Sequence, residues 1–497
     1  MHPSTNLKTI LAIKVKRLRK QRGLTLGEVS QAAGLSVSYL AEIEGGKKYP
    51  KPDRIVQIAS ALDGSYDELT SSRLERDFDE LHSFINAPAI RDFPFDIFGV
   101  PASHLVKLLA RSPAEVTALI RTLNEVAHQY DIGVEHFLHA ALRSFLELTG
   151  NGYPAIDVEA ERFARRLAGP GRGPWSEAAL RDWVLSNGIG VIDEETLASR
   201  PALREFRSVL LHRPPTRLLL NPLLSDSQKK FVLAREAGYR VLGLKARSFT
   251  VPPDREDSFE QVRNDFQASY FAGALLMPRR AFAADLRAFF RLPTWQPTVL
   301  LSLLQKYGVT PETLMYRISQ VVPTELGLRA HFLKFSEEEG HIRLVKLVNL
   351  SGLPMLSGVH AKEQYCRRWL ATRLLREFRS RQKLEEPTTP HVAVQYSRFA
   401  ESDDAYFNFG MALQQPLRPQ MAISLTVGCH SDERLFKAIR FAKDPTIRQV
   451  VVSATCERCG LAPESCSDRA AAPTIFLHAK AKDEERQELD TLLRQRW

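Results

Sequence analysis

Gly23, Thr25, Gly34 and Ser36 constrain this chain more than any other set of residues. Glycine ends a helix because it accepts the left-handed backbone that a C-terminal cap needs, and Thr or Ser begins one by accepting a hydrogen bond from an orphan backbone N–H. Thr25 therefore predicts a helix over Leu26–Ala33, Gly34 breaks the chain, and Ser36 caps a second helix over Val37–Glu44. Two short helices joined by a tight glycine turn make a helix-turn-helix. Upstream, Leu11, Val15 and Leu18 form an apolar stripe beside Lys14, Arg17, Arg19 and Lys20, so residues 8–70 read as five short helices. Between Lys8 and Arg22 stand seven Lys or Arg and no acid, which is a footprint for a polyanion.

The run from Arg17 through Gly23-Leu-Thr-Leu to Ala33-Gly-Leu-Ser-Val-Ser-Tyr-Leu-Ala-Glu-Ile-Glu-Gly-Gly-Lys-Lys48 resembles the XRE, or lambda-repressor-like, family over about 60 residues. The resemblance makes Ser36–Glu44 the recognition helix, with Ser36, Ser38, Tyr39 and Glu42 facing the major groove, where base edges are read. Arg17, Lys47 and Lys48 would contact phosphates, and Thr25 would open the second helix. Leu26 stands where the family often has Gln, so one polar clamp is expected to be missing.

A second feature lies between Lys229 and Gly243. A zinc-protease helix needs His-Glu-x-x-His, two imidazoles on one face with a carboxylate to activate water. Here those positions hold Arg235, Glu236 and Tyr239: the carboxylate is kept and both imidazoles are gone. Neither replacement is a ready metal ligand, since a guanidinium cannot be deprotonated and a phenol ionises only near pH 10. The order Arg217-Leu-Leu-Leu-Asn-Pro222, then this helix, then Phe271-Ala-Gly-Ala-Leu-Leu-Met-Pro278 resembles the ImmA/IrrE metallopeptidase family. That family takes a third ligand, a carboxylate, from the later helix, where this chain offers Asp265 and Gln267. The resemblance implies the fold and argues against the activity.

The chain has 497 residues, 44% hydrophobic and 25% charged, a net charge of +10 and no apolar run of 18 or more. That describes a multidomain globular protein expected in the cytoplasm with no membrane partner. Residues 73–150 carry helical periodicity at Phe84, Leu105, Leu108, Val116, Ile120, Phe137, Ala141 and Phe145, broken by Pro88, Pro94 and Pro101, and read as a helical dimerisation linker. From residue 351 the pattern changes to a basic helix over 366–379, then strands over 391–396, 406–413, 421–429 and 448–456. Cys429, Cys456, Cys459 and Cys466 fall at or beyond the ends of two of these strands, three of them spaced C-x-x-C-x6-C. Four such thiolates bind zinc or an iron–sulfur cluster, and a redox disulfide is the third option. His430 is a substitute ligand, and Cys366, within an amphipathic helix, reads as a buried or spare thiol.

The whole order resembles the short-chain fatty acyl transcriptional regulators. That resemblance implies an all-α helix-turn-helix domain (8–72), a helical linker (73–150), an α+β zincin-like ligand-binding domain (151–350) and an α+β cysteine-bearing domain (351–497). It also implies a 4Fe–4S cluster rather than zinc at the cysteines, and acyl-CoA as the effector. Arg165, Arg166, Arg235 and Tyr239 supply the forks and the aromatic surface that coenzyme A wants. The expected protein is a non-enzymatic dimer or tetramer bound to an operator duplex. The competing readings are a metallopeptidase using Glu236 to cleave a repressor, and a phage-type repressor whose C-terminal part serves only assembly.

Overall fold

Helix ends in the first domain fall where the caps are. The computed structural model describes residues 3–70, 134–168, 175–256, 258–355, 363–383, 389–402 and 404–494. Five helices, α1 (Pro3–Gln21), α2 (Leu26–Ala33), α3 (Val37–Glu44), α4 (Pro52–Ala61) and α5 (Tyr66–Thr70), make up its first domain. Thr25 and Glu28 form a reciprocal capping box at α2, and Gly34 closes that helix at φ 63°. The core is a single apolar cluster including Leu11, Val15, Val29, Leu40, Ile43, Ile58 and Leu69. Leu26 packs partly buried against it. The residue that breaks the family pattern has thus been recruited to the core. Of the linker, only α6 (Val134–Leu148) lies within the described residues, so the periodic positions from Phe84 to Ile120 fall outside them.

The chain divides into two units, Met1–Phe145 with Glu256–Val262, and Leu146–Arg255 with Arg263–Trp497. The second unit begins its α+β part with α7 (Pro154–Ala168) and α8 (Glu177–Ser186). A small sheet of order β1-β3-β2-β4 follows, built from Val191–Asp193, Ser208–Leu211, Arg217–Leu220 and Thr250–Val251. Asn221, buried at the end of β3, donates to the carbonyls of Arg204 (2.7 Å) and Phe206 (2.9 Å) and accepts from Leu223 N. It therefore shapes the Asn-Pro turn into α9 (Asp226–Val241), which Ser225 and Gln228 cap reciprocally. Helices α10 (Phe259–Leu276), α11 (Arg279–Phe290), α12 (Pro297–Tyr307) and α13 (Pro311–Leu326) follow.

A six-stranded sheet organises the rest, in the order β10-β7-β8-β9-β5-β6. Its strands are β5 (Ala330–Glu338), β6 (His341–Asn349), β7 (His391–Phe399), β8 (Ala405–Gln415), β9 (Arg418–His430) and β10 (Gln449–Val452). All neighbours run antiparallel except β10 and β7. One face is covered by α14 (Leu370–Gln382), whose Leu374, Leu375 and Phe378 are buried beside Phe335, Ala412 and Ala422. On the other side, Phe289, Phe290 and Trp295 pack around Phe409 and Phe441. The sheet takes in residues 330–349, which the sequence division assigned to the middle domain. Residues 330–349 cannot be separated from this sheet, because β5 pairs with β9 over eight residues.

Candidate functional site

Three groups of side chains carry chemistry. In the first domain, Ser36 Oγ accepts from Tyr39 N at 3.2 Å, fixing the start of α3. Ser36, Ser38 and Glu42 are exposed along that helix and Tyr39 is half-buried. Lys47 and Lys48 are exposed just beyond it, with Lys48 Nζ 3.6 Å from Glu42 and 4.7 Å from the Tyr39 ring centroid. Tyr39, Glu42 and Lys48 therefore meet along one side of α3. Arg17 sits half-buried on α1, and the Thr25 hydroxyl is engaged with Glu28 as a helix cap. Arg19 and Glu44 were not singled out from the sequence. The Arg19 guanidinium donates to Glu44 through Nε (2.6 Å) and Nη2 (2.8 Å), and to Leu24 O through Nη1 (2.9 Å). This largely buried clamp ties α1 to the recognition helix across 25 residues of sequence, with no local pattern to announce it.

The second group is the degenerate zinc helix. Gly238 lets α9 approach α10 closely: a Cβ there would lie 3.0 Å from Ala268 O and 3.1 Å from the Phe271 ring. Across that contact Tyr239 donates its hydroxyl to Asp265, and Arg235 Nη2 lies 3.4 Å from the same carboxylate. Asp265 also accepts from Ser248 N at 3.1 Å. The three positions that correspond to metal ligands do meet in space, as an Arg–Asp–Tyr cluster. Glu236, fully buried, accepts two hydrogen bonds from Arg247 (2.5 and 2.9 Å) and one from Arg240 (3.0 Å). Burial alone would raise its carboxyl, but Arg247, Arg240 and Arg235 outweigh that and hold it below the ordinary carboxylate range. The Arg247 guanidinium stacks 3.8 Å from the Tyr239 ring centroid. Burial pushes the Tyr239 phenol far up, so it stays a neutral donor. This donor set does not fit zinc: one carboxylate remains, and guanidiniums supply the positive charge that the ion would have brought. Arg235 Nη1 is buried without a hydrogen-bond partner. Arg165 and Arg166 are exposed in the last turn of α7 and do not join Arg235 and Tyr239, which are buried.

The cysteines form the third group, and its membership differs from the expected one. Cys456 and Cys459 share a turn, with Cys459 N bonded to Cys456 O at 3.3 Å. Cys456 Sγ accepts from Ala470 N at 3.3 Å. The segment 364–366 runs alongside: Tyr365 bridges Thr455, Cys456 N donates to Gln364 O (2.8 Å) and Cys366 N to Ala454 O (3.4 Å). Burial pushes the Cys366 thiol up to about 11, with Cys456 and Cys459 adding to the rise, and Cys459 in turn feels Cys466. Cys366 is thus the fourth thiol of this corner. Cys429 lies in β9 between Ala330 and Phe407. Two strands separate it from β10, three strand spacings or roughly 14 Å. Its fully buried thiol is raised to about 12 by desolvation and next by Asp432, not by another cysteine. His430 Nε2 lies 3.4 Å from Asp404 and its ring meets Tyr406, on the face of the sheet opposite Cys429. The sequence reading set Cys366 aside as a helical spare thiol, but the helix starts only at Leu370 and Cys366 lies in the extended segment before it. Among the described residues no three His, Cys, Asp or Glu side chains close on a metal-sized space. The backbone brings Cys366 beside the Cys456–Cys459 turn, and Cys429 stands apart in β9.

Residues 15–69 match the helix-turn-helix family and residues 188–319 match the IrrE N-terminal-like domain. Over 73 residues the chain is 32% identical to an uncharacterized HTH-type transcriptional regulator of Sinorhizobium fredii, covering 15% of this chain and 95% of that relative. A solved structure of a Mycobacterium tuberculosis transcriptional regulator is similar with a TM-score of 0.47 at 18% identity, over 67% of this chain and 93% of that one. No described helix is long and apolar enough to cross a membrane.

Proposed function

We propose that this chain, which belongs to the XRE-type helix-turn-helix family of transcriptional regulators, reads an operator duplex through Ser36, Ser38, Tyr39 and Glu42 and adjusts that binding to an acyl-CoA held in its IrrE-like domain. The observation that carries the sensing half is the converted centre on α9. A peptidase keeps a water and a metal beside its carboxylate, whereas here Glu236 is bound by Arg247 and Arg240, and Arg235 stands at the first ligand position. The polypeptide is a non-enzyme in this reading, since the guanidinium donors on Glu236 hold its carboxylate below ordinary basicity, the opposite of what a general base needs. The unpartnered Nη1 of Arg235 supports an anionic or carbonyl-bearing ligand at that point, because a buried guanidinium N–H without an acceptor costs about 1–3 kcal/mol. In this reading the protein assembles as a dimer or tetramer, so that two helix-turn-helix modules meet half-sites one helical turn apart.

The corner of Cys366, Cys456, Cys459 and Cys466 would hold a 4Fe–4S cluster, or zinc through the same thiolates, and the cluster would give that corner a redox or iron response. The chain's own part is to frame it. Trp369 Nε1 donates to Ser453 O (2.8 Å), Thr372 Oγ1 to Cys366 O (2.8 Å), and Arg458 forks onto Glu363 (2.9 and 2.8 Å), so both cysteine segments are braced from outside.

Calorimetry of the full chain with free coenzyme A and a series of short acyl-CoA thioesters tests the sensing half, repeated on Arg235→Ala and Tyr239→Ala. The expected result is tighter binding of one thioester than of free coenzyme A, lost in both variants, with DNA affinity in the absence of ligand retained. Binding of none of the thioesters leaves the helix-turn-helix reading in place and removes the acyl-CoA one; bound zinc together with proteolysis of a repressor would replace it by the peptidase reading.

A further inference from the structure

Outside all three groups, the sheet's edge carries a cleft of about 720 Å³ whose lining holds six guanidiniums against two carboxylates. That volume is of the order of small-ligand sites. One wall is α14 with the residues just before it, the second is edge strand β10, and the third is the loop of Ser465, Ser467 and Asp468 that carries Cys466. The carboxylates leave most of the positive charge uncompensated. Asp468 pairs with Arg376 alone (2.8 Å), and Glu377 is shared between His391 (2.7 Å) and Arg373 (3.5 Å). Arg367, Arg381 and Arg448 are exposed and, among the described residues, have no carboxylate within ion-pair distance. Arg373 Nε is buried without a partner. Burial, and then Arg448 opposing the help of Glu377, pull the Arg373 guanidinium below its ordinary basicity. Like charges gathered in a concave wall repel one another and focus the field on whatever anion enters. Guanidinium forks match phosphate oxygens two at a time.

We propose that this cleft binds a small ligand bearing two or more linked phosphates, gripped by Arg376, Arg381 and Arg448, with the Ser465 and Ser467 hydroxyls at its rim. Concavity favours a compact ligand over a nucleic-acid backbone, which would need a groove open at both ends. The third wall links the site to the cysteine corner: Arg368 donates to Ser465 O (2.8 Å) and Arg376 holds Asp468, the neighbours of Cys466 on either side. The inference stands independently of the acyl-CoA reading, which concerns residues of α9.

The test uses the full chain and four probes: ATP, inorganic pyrophosphate, adenosine and a short duplex of random sequence. Saturable, salt-sensitive binding of ATP and pyrophosphate at one site per chain is expected, with none for adenosine. Removing one charge-assisted contact should weaken both phosphate probes by about tenfold or more in Arg376→Ala and in Arg448→Ala. Arg343→Ala, an exposed arginine on β6, should leave them unchanged. Thermal melting equal to the parent's shows that the variants are folded, and Arg448→Glu, at an exposed position, supplies a charge reversal that the fold tolerates. Failure of both phosphate probes to bind overturns the proposal, as does equal binding by parent, Arg376→Ala and Arg448→Ala. Loss in Arg448→Glu of random-duplex binding alone would assign the arginines to nucleic acid and overturn it too.

Discussion

Arg247 closes a two-pronged ion pair on Glu236, Nη2 to Oε1 at 2.5 Å and Nη1 to Oε2 at 2.9 Å, with both side chains almost wholly shielded from water. The carboxylate that a peptidase would use as its base is here the anion of a structural lock. Arg247 lies outside the helix that carries Glu236, so the pair also pins the segment entering β4 against α9.

Breaking the lock on one side should be costly. Arg247→Ala leaves a buried carboxylate short of its main partner and should destabilise the second unit by about 3–5 kcal/mol. The paired change Glu236→Met with Arg247→Met should recover most of that loss, and denaturant melts of all three proteins measure it. Because the folded Glu236 carboxyl is held below its unfolded value, the stability it contributes is present above the ordinary carboxylate range and lost as pH falls through the folded pKa. Acid melts of the parent should be steeper than those of the double variant.

His331 sets a second and separate pH window. Its ring spans β5 and β8, with Nδ1 2.8 Å from Ser351 Oγ and Nε2 2.8 Å from Asn408 Oδ1. Gly428, between them on β9, leaves the room, since a Cβ there would lie 2.1 Å from Asn408 Oδ1. Burial lowers the imidazole from 6.5 to about 4, against the Asn408 hydrogen bond. The unfolded chain thus binds the proton first. Stability is full above pH 6.5 and falls between there and about pH 4, by roughly 3 kcal/mol in all. His331→Gln, which cannot titrate, should flatten melting temperature across that window. An unchanged slope would assign the acid sensitivity elsewhere.

At the DNA face, Ser38→Ala and Tyr39→Ala should lower discrimination between operator and random duplex by about 1–3 kcal/mol. Arg17→Ala and Lys47→Ala should weaken both duplexes alike and flatten the salt dependence. Arg19→Ala should behave differently from either pair, lowering the melting temperature of the first domain by releasing Glu44. Mobility shifts at several salt concentrations, with melts alongside, separate the three behaviours.

For the cysteines, protein purified without oxygen should carry iron and sulfide that fall sharply in Cys366→Ser, Cys456→Ser and Cys459→Ser and persist in Cys429→Ser. Iron and acid-labile sulfide assays check it. Loss in Cys429→Ser with retention in Cys366→Ser would return the fourth position to β9.

The helix-turn-helix was legible from Gly23, Thr25, Gly34 and Ser36 because caps and turns are local: each residue acts on backbone groups within four positions of itself. Arg235, Glu236 and Tyr239 were legible as a broken motif for the same reason, three positions on one helix face. Tertiary structure alone decided what replaced the metal. Asp265, Arg247 and Tyr239 come from different segments, and their meeting depends on how closely Gly238 lets two helices approach. It also decided that β5 and β6 belong to the large sheet, and that Cys366 rather than Cys429 stands beside the C-x-x-C turn. Strand order is a long-range property: alternation along a strand says which face is buried and nothing about which strand lies next to it. The arginines of the cleft read singly as solvated surface, and only the fold brings α14, β10 and the loop of Asp468 around one cleft.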